Sequence, residues 1–465
     1  MSALSTVEGF ERPYVVSWNL TYRCNLACEH CYLDAGGSPQ VGSDNFADRS
    51  ELGTEECYRV IDEIAAFAPE CLTILTGGEP LLRRDILDIV RRAAERGLWV
   101  VVGTNGVRVT ENVATRLADA GTRGLSLSLD ALDPDRHDEF RRVRGAWRNT
   151  VEGAAILNRT GLPFIVQTTA GSHNAGELED IADFAYERLA AKVWNLYFLV
   201  PTGRGQFVSD MTPGQYDEVL ASLHSIQRKY KGRMLVNAKC APHYIKTALQ
   251  RASSNDDSAP SDADPALRVY SGGAGGCPAG THYMGIRPNG DVTPCPYLPV
   301  FAGSLRTASL TDLWASSDLF KGIRRRTELG GRCGACELNA QCGGCRARAY
   351  GMTGDLMAED PLCTHVPGTF PPTLLRSFVE AGAGSRAFGE GTAVKTPTLE
   401  YGPDAPKTIA WDDDAAARMK KIPAFVRGMV VKAVEESCRK GGLDRVTVEE
   451  LERIRARMPT PKMFG

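Results

Sequence analysis

Between residues 14 and 200, short β-rich runs alternate with longer amphipathic stretches, and this alternation restricts the fold more than any other feature. The runs are "YVVSWNL" (14–20), "CLTIL" (71–75), "LWVVV" (98–102), "GLSLSL" (124–129), "PFIVQT" (163–168) and "VWNLYFLV" (193–200). Between them, "TEECYRVIDEIAAFA" (54–68), "RRDILDIVRRAAERG" (83–97), "ENVATRLADAG" (111–121) and "ELEDIADFAYERLA" (177–190) carry Ile, Leu, Val and Ala at three- and four-residue spacing. Their other face is charged, as in helices that cover a sheet. Six such units predict an α/β fold of parallel strands under helices. In a curled β/α barrel or a doubly wound sheet alike, the chemistry belongs just after the strands. Periodicity alone does not choose between them.

The second constraint is fourteen cysteines in 465 residues. No secretory h-region follows "MSALSTVEGFERP", and no apolar run is long enough to span a bilayer, so a cytoplasmic protein is expected. A net charge of -3 argues against a protein built to grip a nucleic-acid backbone. In a reducing compartment, clustered cysteines point to metal or redox chemistry rather than disulfides. Cys24, Cys28 and Cys31 form one group, Cys277 and Cys295 a loose pair, and Cys333, Cys336, Cys342, Cys345 and Cys363 a dense cluster. Cys57, Cys71 and Cys438 read as small buried hydrophobes. Cys240 stands alone in "NAKCAPHY".

"RCNLACEHC" (23–31) places three thiols directly after the first strand. A structural zinc site needs four protein ligands, and only His30 is close by, wedged between two of the thiols. Three thiolates suit an iron–sulfur cube with one iron left open. Spacing alone leaves zinc, or coincidence, as alternatives.

The surroundings of the group resemble the radical S-adenosylmethionine (SAM) superfamily. Its signature is cysteine, three residues, cysteine, two residues, cysteine, with an aromatic before the last; here His30 holds that position. The resemblance covers roughly residues 14–205 and implies a partial (β/α)6 barrel. It implies a cluster on Cys24, Cys28 and Cys31 that binds SAM and cleaves it to a 5'-deoxyadenosyl radical. "TGGEP" (76–80) follows the second strand, where the family contacts the methionine amine, so Gly77, Gly78 and Glu79 are expected there. Asn105 in "GTNG", and Ser128 and Asp130 in "SLD", fall at the same mouth as candidate SAM contacts. Gln167 is a further one, with a solvated polar role as its alternative.

From Cys277 the spacing runs twelve residues to Gly290, four to Cys295, then Cys333, two, Cys336, five, Cys342, two, Cys345, seventeen, Cys363. This resembles the SPASM domain, an extension that holds two auxiliary [4Fe–4S] clusters, although its usual last close gap is three residues. By analogy Cys333, Cys336, Cys342 and Cys363 hold the outer cluster. Cys277, Cys295 and Cys345 hold the inner one, with Cys240 as the fourth donor and His243 in reserve. The resemblance therefore implies SAM and three [4Fe–4S] clusters, one SAM-binding and two auxiliary, with a flavodoxin or ferredoxin as electron donor. Zinc on Cys333, Cys336, Cys342 and Cys345 is the alternative, and it leaves Cys277, Cys295 and Cys363 unexplained.

"PYLPVFAGSLRTASLTDLWASSDLFKGIR", "CGACELNAQCGGCRARAYGMTGDLMAEDPLC", "PTGRG" and "KCAPH" are similar to the radical SAM enzymes of alternative haem and haem d1 synthesis. The end of the chain, with "W-x-x-x-A", "KIPAFVR" and "VTVEELERIRARM", resembles a C-terminal domain of a protochlorophyllide reductase subunit. Thr447 reads as its last helix cap, with Glu450 three residues on. The expected organisation is a radical SAM core (14–230), a linker or lid (231–270), a SPASM domain (271–365), a linker (366–408) and a small helical module (409–460). A sirohaem-derived tetrapyrrole with acetate or propionate side chains is the expected substrate. Arg204, Arg346 and Arg348 are candidate carboxylate partners, and Tyr283 and Tyr350 candidate positioning groups. A small peptide is the rival substrate, although residues 1–23 leave no room for the N-terminal peptide-binding domain such enzymes often carry. An iron–sulfur scaffold or electron carrier is the non-enzyme rival, and it leaves TGGEP and the open iron unexplained.

Overall fold

A computed structural model describes residues 10–36, 50–208, 211–254, 276–370, 407–419 and 424–457. All six expected strands form: β1 (Val15–Asn19), β2 (Leu72–Thr76), β3 (Trp99–Gly103), β4 (Gly124–Ser128), β5 (Phe164–Ala170) and β6 (Val193–Phe198). They pair in sequence order, all parallel, and β7 (Leu235–Lys239) adds to β6 in the same sense. On the other side, β8 (Tyr283–Ile286) lies parallel to β1, and β9 (Asp291–Thr293) and β10 (Gly303–Ser304) follow antiparallel. The result is one open, mostly parallel ten-stranded sheet whose edges are β10 and β7.

The expected helices form as α1 (Thr54–Phe67), α2 (Ile86–Glu95), α3 (Glu111–Asp119) and, next but two, α6 (Leu178–Glu187). Between α3 and α6 the chain adds α4 (Pro134–Arg141) and α5 (Ala146–Thr160), and after β6 it adds α7 (Pro213–Lys229) and α8 (Tyr244–Ser254). Residues 235–254, read from sequence as linker or lid, are thus a sheet strand and a helix. The segments 255–275 and 371–406 lie outside the described residues.

Register explains how the sheet serves a site. One face carries Val16, Trp18, Leu75, Val100, Val102, Leu125, Leu127, Val166, Trp194, Leu196 and Val236, which pack with the helices in a single core. Side chains alternate across a strand, so their neighbours face the other way. There, Ser128 pairs with Gln167, Gln167 with Asn195 and Asn195 with Asn237. One step along, Thr169, Tyr197 and Lys239 stand abreast. A parallel sheet covered on both faces by helices would be apolar on both. This one has a polar face, directed at the cysteine-bearing segments.

The end of the chain forms a small unit with its own core of Ala415, Val434, Cys438, Val446 and Ile454. Ala410–Trp411 pairs with Arg445–Val446, and the expected cap is present, with Glu450 N donating to Thr447 Oγ1 at 3.2 Å.

Candidate active site

Three thiols emerge immediately after β1, on a loop held by other parts of the chain. Ala27 N and Glu29 N donate to the carbonyls of Arg141 and Phe140 at 3.2 and 3.0 Å. Gly78 N and Glu79 N donate to the carbonyls of Thr21 and Arg23 at 2.7 and 2.8 Å. The glycines of TGGEP therefore serve a close approach, and the partner is the cysteine loop itself. A Cβ on Gly78 would stand 2.3 Å from the Arg23 carbonyl oxygen, and one on Gly77, at φ +138°, 2.8 Å from that of Thr21. Gly78→Ala is expected to displace the loop at a cost of about 1–3 kcal/mol. Reduced iron content after anaerobic reconstitution checks this; wild-type iron would refute it.

Glu79 is fully buried, and its carboxylate accepts from Leu81 N (3.0 Å), Thr104 Oγ1 (2.9 Å to each oxygen) and Asn105 N (2.9 Å). Burial pushes its pKa up to about 7 against these donors. Asn105 donates from Nδ2 to Asn25 Oδ1 at 2.9 Å and so joins the cysteine loop. Glu79, Asn105 and the thiol loop are thus brought together. Ser128 and Gln167 lie side by side on the polar face, half-buried, with Gln167 Nε2 3.4 Å from the Tyr197 hydroxyl.

Asp130 is placed differently. Its carboxylate is paired with Arg141 and accepts from Thr169 N at 2.7 Å, fully buried. Burial works against its charge, but Arg141 beside it holds it well below the usual carboxylate range. Arg141 also reaches Cys28 Sγ at 3.5 Å, so the pair braces a thiol. In the atypical position before the last cysteine, His30 lies flat on Phe140, rings 4.5 Å apart and 2° from parallel, and His173 covers the other side at 4.0 Å. Burial lowers the His30 pKa to about 3, so the imidazole is neutral and fills the aromatic's place.

The remaining metal-class thiols form two sets. Cys240, Cys277, Cys295 and Cys345 are one another's electrostatic neighbours, and the last three share a core with Val200, Leu298 and Ile323. Cys333, Cys336, Cys342 and Cys363 form the other and line one cavity with His243 and His365. Cys345 thus leaves its sequence neighbours for the inner set, which a zinc ribbon on Cys333, Cys336, Cys342 and Cys345 does not allow. Cys240 takes a left-handed backbone, φ +57°, and Arg348 donates to its carbonyl. His243 lies on the outer side, with Nδ1 3.8 Å from Asp360. Cys336, Glu337 and His365 also lie close together, but Glu337 already accepts from Gly368 N and Phe370 N. Cys57, Cys71 and Cys438 are core residues.

The arginines offered as carboxylate partners are already engaged. Arg204 donates to the Cys28 carbonyl (2.9 Å) and pairs with Asp34 (2.6 Å), so "PTGRG" packs on the cysteine loop. Arg346 donates to the carbonyls of Leu356 and Ala358, and Arg348 pairs with Asp360. Tyr350 packs beside the inner thiol set. Tyr283 joins Tyr32, Tyr197 and Tyr297, a group the sequence did not single out. Tyr32 lies 4.6 Å and Tyr197 6.2 Å from Tyr297, centroid to centroid, and Tyr32 donates to Asn19 Oδ1 at 2.7 Å. Burial raises all four phenols, so they stay protonated and able to donate.

One loop of three thiols and two sets of four suit iron–sulfur clusters. Residues 18–185 match the sequence profile described as Radical SAM superfamily. The AdoMet-dependent heme synthase of Methanosarcina barkeri is 36% identical over 356 residues, 77% of this chain and 97% of that protein. The chain belongs to the radical SAM superfamily. It is an enzyme of that superfamily, with SAM and iron–sulfur clusters as its cofactors. Residues 277–345 of this radical SAM protein match the SPASM profile, an iron-sulfur cluster-binding domain, and residues 411–455 match Proto-chlorophyllide reductase 57 kD subunit. The AdoMet-dependent heme synthase of Nitratidesulfovibrio vulgaris is 35% identical over 78% of this chain and 96% of that one. Among solved structures, Streptococcus suis SuiB bound to S-adenosylmethionine shares the fold, with a TM-score of 0.60, 17% identity, and 76% and 78% of the two chains covered.

Proposed function

We propose that this radical SAM protein converts acetate or propionate side chains of a sirohaem-derived tetrapyrrole in the making of a haem-type cofactor. The observation that carries the reading is 36% identity to a named haem synthase along nearly all of that protein's length. That name favours propionate-to-vinyl conversion. Each propionate-to-vinyl conversion removes a hydrogen atom from the side chain and its carboxylate as carbon dioxide, leaving one electron to be taken up.

Cys24, Cys28 and Cys31 would hold a cluster that, with SAM bound, would supply the radical that takes the hydrogen atom. In this reading Glu79 and the backbone of Gly77 and Gly78 orient the methionine amine, and Asn105, Ser128 and Gln167 lie along its approach. Asp130 acts at one remove, by holding Arg141 against Cys28. Cys240, Cys277, Cys295 and Cys345 would hold an auxiliary cluster that supplies an outlet for the electron. Cys333, Cys336, Cys342 and Cys363 would hold the third, nearer an external donor such as flavodoxin or ferredoxin. The half-buried phenols between the thiol groups shield the reacting carbon from water. No helix among the described residues is long and apolar enough to cross a membrane.

The test is anaerobic incubation with SAM, dithionite and iron coproporphyrin III or didecarboxysirohaem, followed by mass analysis. Loss of formic-acid-equivalent mass per propionate supports the reading. An unchanged tetrapyrrole beside a modified small peptide overturns it in favour of a peptide substrate.

Glu79 gives this assignment a pH signature. With its pKa raised to about 7, Glu79 is neutral below that value and ionised above it. Only the ionised carboxylate pairs with the ammonium of SAM. Raising the pH from 6 to 8 is expected to tighten SAM binding by roughly tenfold. Glu79→Gln is expected to bind weakly with no such slope, as equilibrium dialysis would show.

A further inference from the structure

The polar face of the sheet holds a cation that the functional reading has not yet used. Lys239 ends β7 and stands in register with Tyr197 of β6, one step beyond the Asn195–Asn237 pair. The Asn237 amide donates to Asn195 Oδ1 at 2.8 Å, which confirms the shared face. Lys239 lies deep in the protein yet keeps accessible surface, as do Tyr197, Tyr283 and Tyr297. Groups that are deep and still accessible line an internal cleft. This cleft lies between the loop of Cys24, Cys28 and Cys31 and the inner thiol set. Tyr197 faces Tyr297, Tyr297 faces Tyr32 beside Cys31, and Cys240 follows Lys239 directly.

A buried ammonium is costly unless an anion meets it. Arg204, Arg346 and Arg348 are each held by acceptors of the protein, as described above. The Lys239 ammonium has the Cys240 thiol as its electrostatic neighbour and no carboxylate or carbonyl acceptor among the described residues. Lys239 is therefore a cation that the cleft presents to an incoming ligand on the side of β7, with Arg287 beside Tyr32 at the other side, and it is flanked by neutral donors, which is the usual make-up of a site for an organic anion.

We propose that Lys239 receives a propionate carboxylate of the tetrapyrrole, with Asn237, Asn195 and the Tyr197 hydroxyl as neutral partners beside it. This rests on the tetrapyrrole reading above. Lys239 sets which carboxylate is anchored, and so which side chain is left facing the SAM-binding loop.

The test compares dissociation constants of the anaerobically reconstituted protein for iron coproporphyrin III and for its tetramethyl ester, read from the Soret band. Wild type is expected to prefer the acid. Lys239→Gln is expected to shrink that preference by about 10- to 100-fold, through weaker acid binding and unchanged ester binding. Lys239→Arg, which keeps the charge, is expected to retain most of it, and iron content reports whether each variant has folded. An unchanged acid-over-ester preference in Lys239→Gln overturns the assignment while leaving the tetrapyrrole reading in place. Wild type that binds neither compound overturns both. A variant that loses iron but keeps the wild-type preference assigns Lys239 to the neighbouring thiol set and likewise overturns the proposal.

Discussion

Cys28→Ala is expected to reduce 5'-deoxyadenosine formation from SAM to background and to lower iron by about four atoms per chain. The effect is specific because the loop does not depend on the thiol for its shape. Its backbone is tied to Arg141, Phe140, Gly78 and Glu79, and Arg204 holds the Cys28 carbonyl. The other two thiol sets draw on residues from 240 onward, so their iron is expected to remain. The same result is expected for Cys24→Ala and Cys31→Ala. Arg141→Met should be milder in SAM cleavage but harsher in yield, because it leaves the fully buried Asp130 without its counter-ion. Deoxyadenosine from Cys28→Ala at more than a trace would remove the loop from the initiating chemistry.

Much of this was legible in the sequence, for physical reasons that also mark where legibility stopped. The six strands and four of the helices announced themselves because each buries one face, and burial imposes period 2 or 3.6 on the apolar residues. Strand β7 was missed because it is short, only "LVNAK", yet its alternation was visible: Val236 joins the core while Asn237 and Lys239 face the polar side. The thiols declared their grouping through local spacing. Cys345 is the exception, since spacing groups it with Cys342 three positions away, and its place in the inner set was implied by the SPASM resemblance alone. The arginine readings failed for a related reason. Guanidinium groups near an anionic site are as useful for tying carbonyls and carboxylates together as for binding substrate, and sequence does not tell the two apart. Glycine was read as a sign of close approach, and Gly78 does approach closely, to the Arg23 carbonyl of the cysteine loop.

Arg348→Met is expected to be among the most damaging substitutions outside the thiols themselves. Arg348 and Asp360 are both fully buried and paired at 3.2 Å. Arg348 donates to the Cys240 carbonyl, while Asp360 accepts from Cys345 N at 2.9 Å. The pair therefore joins two members of the inner thiol set that are far apart in sequence. It also holds Cys240 in a left-handed conformation that costs a non-glycine residue about 1–3 kcal/mol. Removing one partner of a buried pair costs about 3–5 kcal/mol, a large part of the roughly 5–15 kcal/mol that keeps a domain folded. Local failure should come first, at the inner set: about four iron atoms lost per chain and a temperature of cluster loss lowered by roughly 10 °C. Among the described residues no hydrogen bond or ion pair joins the loop of Cys24, Cys28 and Cys31 to this pair, so SAM cleavage should survive while tetrapyrrole conversion stops. Deoxyadenosine without product is the signature of a radical formed beside an incomplete electron outlet. Full iron with lost cleavage would instead mean that the two thiol centres are coupled through Arg348 in a way the hydrogen bonds do not account for.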